Sequence, residues 1–130
     1  MEWEVVKIEN EAKGRTSPYA SIGFGRISLS VAACKLITNY RDYQFVELLQ
    51  GKRNGKKCIG VRFLHASERT QQSLPIREKR QGEKLLGGID IVNKGTLEKL
   101  FGPAASASKV TRYNVELDDS DNRILVIFAD

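Results

Sequence analysis

At 130 residues, with 41% hydrophobic and 28% charged residues, the chain has the size and balance of one globular domain that buries a core without disulfides or metals. Its formal net charge of +5 favours anionic partners. No window approaches about 18 uninterrupted apolar residues, and Met1-Glu2-Trp3-Glu4 puts acids where a secretory signal needs basic residues and an apolar run, so the expectation is a cytoplasmic protein with no membrane partner.

In chain order, residues 1–21 form an N-terminal extension, with a strand near Glu4 to Ile8 and a turn at Gly14 to Pro18; their net charge is −1. Gly23-Phe24-Gly25 then resembles a phosphate-cradling loop, but Ser28 stands where a dinucleotide fingerprint needs its third glycine, and no Gly-Lys-Ser/Thr follows. Apolar residues fall on even positions at Ile22 and Phe24 and on odd ones at Ile27, Leu29 and Val31. That change of parity predicts an extra residue, a β-bulge at Gly25.

Ile27 to Val31 alternates as a half-buried strand, Ala32 to Ile37 suits a short helix, and Tyr43 to Leu49 is rich in residues that favour strands. Gly51 to Lys57 turns the chain, and Asn54-Gly55 inside it is the strongest short-range hairpin signal. Cys34 and Cys58, with no second pair and no histidine cluster, read as buried small hydrophobes. Residues 22–64 carry a net +6, nearly all of the chain's excess. Residues 65–86, at +2, are polar and charge-dense and read as a basic linker or excursion.

Residues 87–130, at −2, repeat the first pattern. Gly25-Arg26-Ile27-Ser28-Leu29 matches Gly87-Gly88-Ile89-Asp90-Ile91, Lys35-Leu36-Ile37 matches Lys99-Leu100-Phe101, and Val46-Glu47-Leu48 recurs as Val115-Glu116-Leu117. Ile59-x-Val61-x-Phe63 recurs as Ile124-x-Val126-x-Phe128. Four matches in one order indicate a duplication, with Gly102 to Ser108 inserted as a loop and Asp118 to Asn122 as the second hairpin tip. The expected fold class is α+β: two similar β-α-β-β units, 22–64 and 87–130, packed as one compact domain over 22–130, with a barrel as one way of closing it.

Gly25-Arg26-Ile27-x-Leu29, a short helix ending in Leu36, Tyr43-x-x-Val46-Glu47-Leu48 and the Asn-Gly turn into Ile59-x-Val61 resemble the swapped-hairpin module of AbrB-type and MraZ-type regulators. MraZ-type proteins carry two such modules in one chain. The resemblance implies DNA binding and carries a DNA contact over to Arg26. Ser30 stands where the family has proline before its helix, and Gly88 occupies the arginine slot of the second unit.

Catalysis finds little to work with: one histidine, His65, and no Gly-x-Ser-x-Gly, His-Glu-x-x-His or paired-cysteine motif. Asp118, Asp119 and Asp121 do not have the spacing of a calcium loop and read as a solvated tip. No cofactor and no metal is expected. The basic clusters are the better lead: Lys52, Arg53, Lys56 and Lys57 at one hairpin tip, and Arg77, Lys79, Arg80 and Lys84 in the linker. Together with Arg26 they are the candidate phosphate contacts of a non-enzymatic nucleic-acid-binding protein, with DNA ahead of RNA. Tyr40, Tyr43 and Phe45 lie close enough in sequence to stack bases if exposed. The alternative is a protein-interaction module, a homo-oligomer in which the basic hairpin of one copy meets the acidic hairpin of another.

Overall fold

The structure is a computed structural model; it describes residues 2–6, 17–81 and 84–129, with the backbone alone for 80, 81 and 84–86. The described chain is mostly β: strands β1 (Tyr19–Gly23), β2 (Arg26–Leu29), β3 (Phe45–Arg53), β4 (Lys56–Leu64), β5 (Ser73–Pro75), β6 (Arg77–Gln81), β7 (Lys84–Val92), β8 (Thr111–Leu117) and β9 (Ile124–Phe128), with two helices, α1 (Val31–Lys35) and α2 (Lys94–Phe101). Residues 2–6 have no regular structure, and the rest of the strand expected near Glu4 to Ile8 lies outside the described residues.

The nine strands form one sheet in the order β5-β3-β4-β9-β8-β1-β2-β7-β6, and every pairing is antiparallel. Its two edges belong to one stretch of chain. Ser73–Pro75 pairs with β3 and Arg77–Gln81 with β7, with only Ile76 between them, and Ile76 N donates to Gln44 O at 2.9 Å. The sheet therefore rolls into a nearly closed barrel, which leaves little free edge for pairing with other chains. The basic stretch 65–86, expected as a linker, contains β5, β6 and the start of β7 and joins the two edges.

Period-2 alternation explains the core. Ile22, Ile27, Leu29, Ile89 and Ile91 from one half and Val61, Phe63, Leu125 and Ile127 from the other are almost wholly buried, each contributing about 1.5–3 kcal/mol of hydrophobic stabilisation. Ala33 and Cys34 of α1 and Leu97 and Leu100 of α2 complete the same cluster. Ser30 caps α1, its Oγ accepting from Ala33 N and from Tyr19 N at 3.1 Å each, so the serine in the proline slot fixes both the helix start and the neighbouring strand. Asn93 caps α2 by accepting from Thr96 N at 3.0 Å. Gly102–Ser106, expected as a loop, is a 3-10 turn.

The bulge expected at Gly25 is not there. Gly23 pairs with Arg26, leaving Phe24 and Gly25 as a two-residue hairpin turn with φ of 53° and 73°, a type I′ turn. The change of apolar parity is the reversal of the chain: Ile22 and Ile27 are cross-strand partners on the inner face. The irregularity lies at the other glycine pair. In β7, Gly87 and Gly88 have φ of 77° and 72°, and the register with β6 shifts between Glu78 and Arg80. A Cβ on Gly88 would lie 2.6 Å from Leu29 O, and one on Gly87 would lie 2.7 Å from Val31 Cγ2. Close approach as well as backbone conformation demands glycine there.

Candidate nucleic-acid interface

On the wall formed by β8, β1, β2, β7 and β6, the residues between the buried ones point away from the core. Cross-strand pairing sets Arg112 opposite Ser21, Ser21 opposite Ser28, Ser28 opposite Asp90 and Asp90 opposite Arg77, one row running across five strands. Directly opposed residues share a face. Arg26, two residues from Ser28, stands beside that row. Lys79, on the far side, reaches Asp90.

Asp90 organises this surface. Its carboxylate accepts from Ser28 Oγ at 2.6 Å and lies 3.6 Å from the Arg26 guanidinium and 3.9 Å from Lys79 Nζ. One carboxylate between two cations orients both and neutralises only one, so the row keeps a positive excess. Arg112 adds to it, its guanidinium 4.5 Å from the centroid of the Tyr19 ring. Phe24 projects from the end of this wall, 57% exposed, with Val110 at 51% beside it. A cavity of about 370 Å³ is lined there by Ser21, Gly23, Phe24, Arg26, Ser28 and Val110.

The structure divides the sequence-predicted site residues into two groups. Arg26, Arg77 and Lys79 come together on this wall. Arg80 and Lys84 belong to β6 and β7 by their backbone, and their side chains lie outside the described atoms. Lys52, Arg53, Lys56 and Lys57 stand elsewhere, because β9, β8 and β1 intervene between β4 and β2 in the sheet.

The basic hairpin is also partly engaged within the chain. Arg53 lies 3.3 Å from Glu116 and 3.4 Å from Asp119 and sits over the Phe128 ring. Lys57 Nζ donates to Leu100 O, a carbonyl in the last turn of α2, where a cation suits the exposed carbonyls. Lys52 and Lys56 point to solvent.

Each acidic residue at the second hairpin tip has a protein partner. Asp118 accepts from Ser120 N, Ser120 Oγ and Asp121 N at 3.2, 2.9 and 3.0 Å, and its carboxyl is held below its ordinary range, chiefly by the Ser120 hydroxyl. Asp121 accepts from Arg123 N and approaches Arg62. Among the described residues no cluster of three His, Cys, Asp or Glu is placed to hold a metal ion.

The aromatic residues expected to stack bases have other contacts. Tyr43 stacks on His65 at 4.4 Å, meets Phe63 edge-on and lies under Arg123, which is paired with Glu68. Phe45 lies under Arg69, and Tyr40 accepts a hydrogen bond from Arg41 Nε at 3.2 Å. Arg41 and Glu78 line a separate cavity of about 520 Å³ at the Ile76 seam, and opposite charges there give no preference for a polyanion. His65 caps a 3-10 turn at Ala66–Glu68, its N–H donating to Glu68 Oε1 at 2.8 Å. Cys34 and Cys58 are free and buried, and burial pushes the Cys34 thiol up to about 12. A thiol so held is unsuited to nucleophilic chemistry.

Two contributors escaped the sequence reading, Arg112 and Phe24. Alternation in Thr111-Arg112-Tyr113-Asn114-Val115 already puts Arg112 outward, but only the pairing of β8 with β1 brings it beside Ser21. Comparison with family models, with curated proteins and with solved structures gives no match. Among the described residues no helix is long and apolar enough to cross a membrane.

Proposed function

We propose that this chain is a non-enzymatic nucleic-acid-binding protein that holds a phosphate backbone across the wall β8-β1-β2-β7-β6. The observation that carries this reading is the gathering of four cations on one sheet face: Arg26, Arg77 and Lys79 about a single carboxylate, Asp90, and Arg112 at the far end of the same row. Cations spaced along a surface release condensed counterions when they meet a phosphate chain, and this sequence-independent gain dominates such binding. Arg26, to which the resemblance to AbrB-type and MraZ-type modules assigns a DNA contact, belongs to this face. DNA is the first expectation. Lys52 and Lys56, on β3 and β4 beyond β9, come within reach of a ligand long enough to follow the barrel round.

The scaffold fits an α+β fold duplicated from two β-α-β-β units, β2-α1-β3-β4 and β7-α2-β8-β9. Support comes from the pairing of counterparts, β2 beside β7 and β4 beside β9, as expected of two related halves packed about an approximate two-fold axis. The halves have diverged where the cations sit: Arg26 stands in the slot that Gly88 fills in the second unit. The head-to-tail alternative draws less support, because Arg53 meets Glu116 and Asp119 within the chain.

Fluorescence anisotropy with short labelled oligonucleotides across a salt series tests the reading. Affinity should fall steeply with salt, and neutralising Arg26, Arg77, Lys79 or Arg112 to glutamine should each reduce the log–log slope by about 1. Neutralising Lys52 and Lys56 should affect long ligands only. Absence of binding at low salt would sink the proposal.

A further inference from the structure

We infer that Phe24 is a stacking platform for one unpaired base, so that the ligand of this face is a single strand; the inference rests on the nucleic-acid reading above. The first observation is that the ring is misplaced for folding. Phe24 occupies the first central position of a type I′ turn at φ 53°, where asparagine, aspartate or glycine relieves the left-handed backbone and a bulky residue does not. Burial does not compensate, since Phe24 is 57% exposed. Strain of this kind, retained at an exposed position, is characteristic of functional sites.

The second observation is that the turn is held. Phe24 N donates to Ala107 O at 3.0 Å and Gly25 N to Ala105 O at 2.7 Å, so the backbone beneath the ring is anchored to the segment that follows α2. A Cβ on Gly23 would meet Lys109 O at 2.7 Å, which shows how closely that segment lies against β1. A ring on an anchored backbone loses little conformational freedom when a base stacks on it.

The third is chemical. The cavity of about 370 Å³ beside the ring has an apolar side, Phe24 and Val110, and a cationic one, Arg26. A nucleotide presents the same pair of features, a flat π face and a phosphate, and stacking of bases on aromatic side chains is how single strands are held without sequence preference.

Geometry separates the single strand from the duplex. Five strands at about 4.8 Å spacing make a face about 19 Å wide, too broad for a major groove of about 12 Å. A base inside a duplex is already stacked on its neighbours, so Phe24 would gain nothing from one.

The test uses the whole chain with fluorescein-labelled oligothymidylate, a duplex of equal length and inorganic polyphosphate as a purely electrostatic competitor. Oligothymidylate should bind more tightly than duplex. Phe24→Ala should weaken oligothymidylate binding about tenfold and leave the dissociation constant of polyphosphate, obtained from the competition, unchanged. As an independent readout, Phe24→Trp in a Trp3→Phe background should keep the affinity and show quenching of its indole fluorescence as the oligonucleotide is added. Equal affinity for single strand and duplex, an unchanged affinity in Phe24→Ala, or an unquenched indole overturns the inference while leaving a salt-dependent nucleic-acid binder standing. No binding to either nucleic acid at low salt overturns both readings.

Discussion

Phe24-Gly25 and Asn54-Gly55 turn the chain with the same backbone, two residues at positive φ closing an antiparallel hairpin, yet their side chains serve opposite ends. Asn54 is what the turn itself wants, and its hairpin carries its charge in the strands, where Lys52 opposes Lys57 and Arg53 opposes Lys56. Like charges directly opposed destabilise a hairpin, and here Glu116, Asp119 and Leu100 O draw Arg53 and Lys57 away from their neighbours. Phe24 is what the turn does not want, and backbone hydrogen bonds to Ala105 and Ala107 hold it in place. One tip is thus built from favourable turn chemistry and side-chain electrostatics, the other from an unfavourable residue on an anchored backbone. The ring stands where an ordinary turn residue would suit the backbone better, which is why it invites a functional explanation.

The contrast breaks most sharply at the glycines. Gly23→Ala should destabilise the fold by about 1–3 kcal/mol, because its Cβ would meet backbone at 2.7 Å, whereas Gly51→Ala, with nothing within 4 Å, should stay within about 0.5 kcal/mol in urea denaturation. Exchanging the turn residues comes next. Phe24→Asn should raise stability by about 1 kcal/mol and weaken single-strand binding, while Asn54→Phe should lower stability by a similar amount and leave binding unchanged. If Phe24→Asn instead destabilised the protein, the ring would have a packing role.

Acid should separate the two tips further. The folded Asp118 carboxyl lies below its ordinary value of 3.8, so its contribution is complete above that pH and is lost as pH falls below it. NMR amide shifts of residues 118–121, with those of Arg53 beside them, should titrate there, while the Phe24 and Gly25 amides, bonded to carbonyls, should not. Next to the same acidic tip Glu68, held down to about 2 from 4.5 by the Arg123 guanidinium, should take up its proton and lose its hold on Arg123 only as pH falls toward that lower value. Smallest is Lys56→Glu, which replaces a like-charge pair with Arg53 by an opposite one. A gain of about 0.2–1 kcal/mol is expected at low salt, shrinking as salt is added.

Local chemistry made parts of this legible. Asn54-Gly55 was readable because its two residues tolerate positive φ, and the element order β2-α1-β3-β4 followed from alternation and a short helical run. Phe24-Gly25 was misread because phenylalanine is a poor turn former: the parity change between Ile22 and Ile27 was real, but a bulge and a reversal produce the same change in a one-dimensional pattern. The bulge belonged at Gly87-Gly88, where the need for glycine comes from Leu29 O and Val31, atoms nearly 60 residues away in sequence. The stretch 65–86 looked like a linker because it is polar; its charges lie on a barrel wall, where outward positions need no apolar residue.

The sequence by itself determined where Asn54-Gly55 turns, that Cys34 and Cys58 are buried, that positive charge is in excess, and the inward face of most strands, though Phe24 and Val31, which alternation also puts inward, are exposed. Only the tertiary structure decided which strands are neighbours, and therefore that Arg26, Arg77, Lys79 and Arg112 share one face while Arg53 and Lys57 are drawn into contacts of their own. The reason is physical. Alternation along a strand encodes up or down, but lateral order in a barrel is set by pairing and closure between distant segments, and no local pattern carries it.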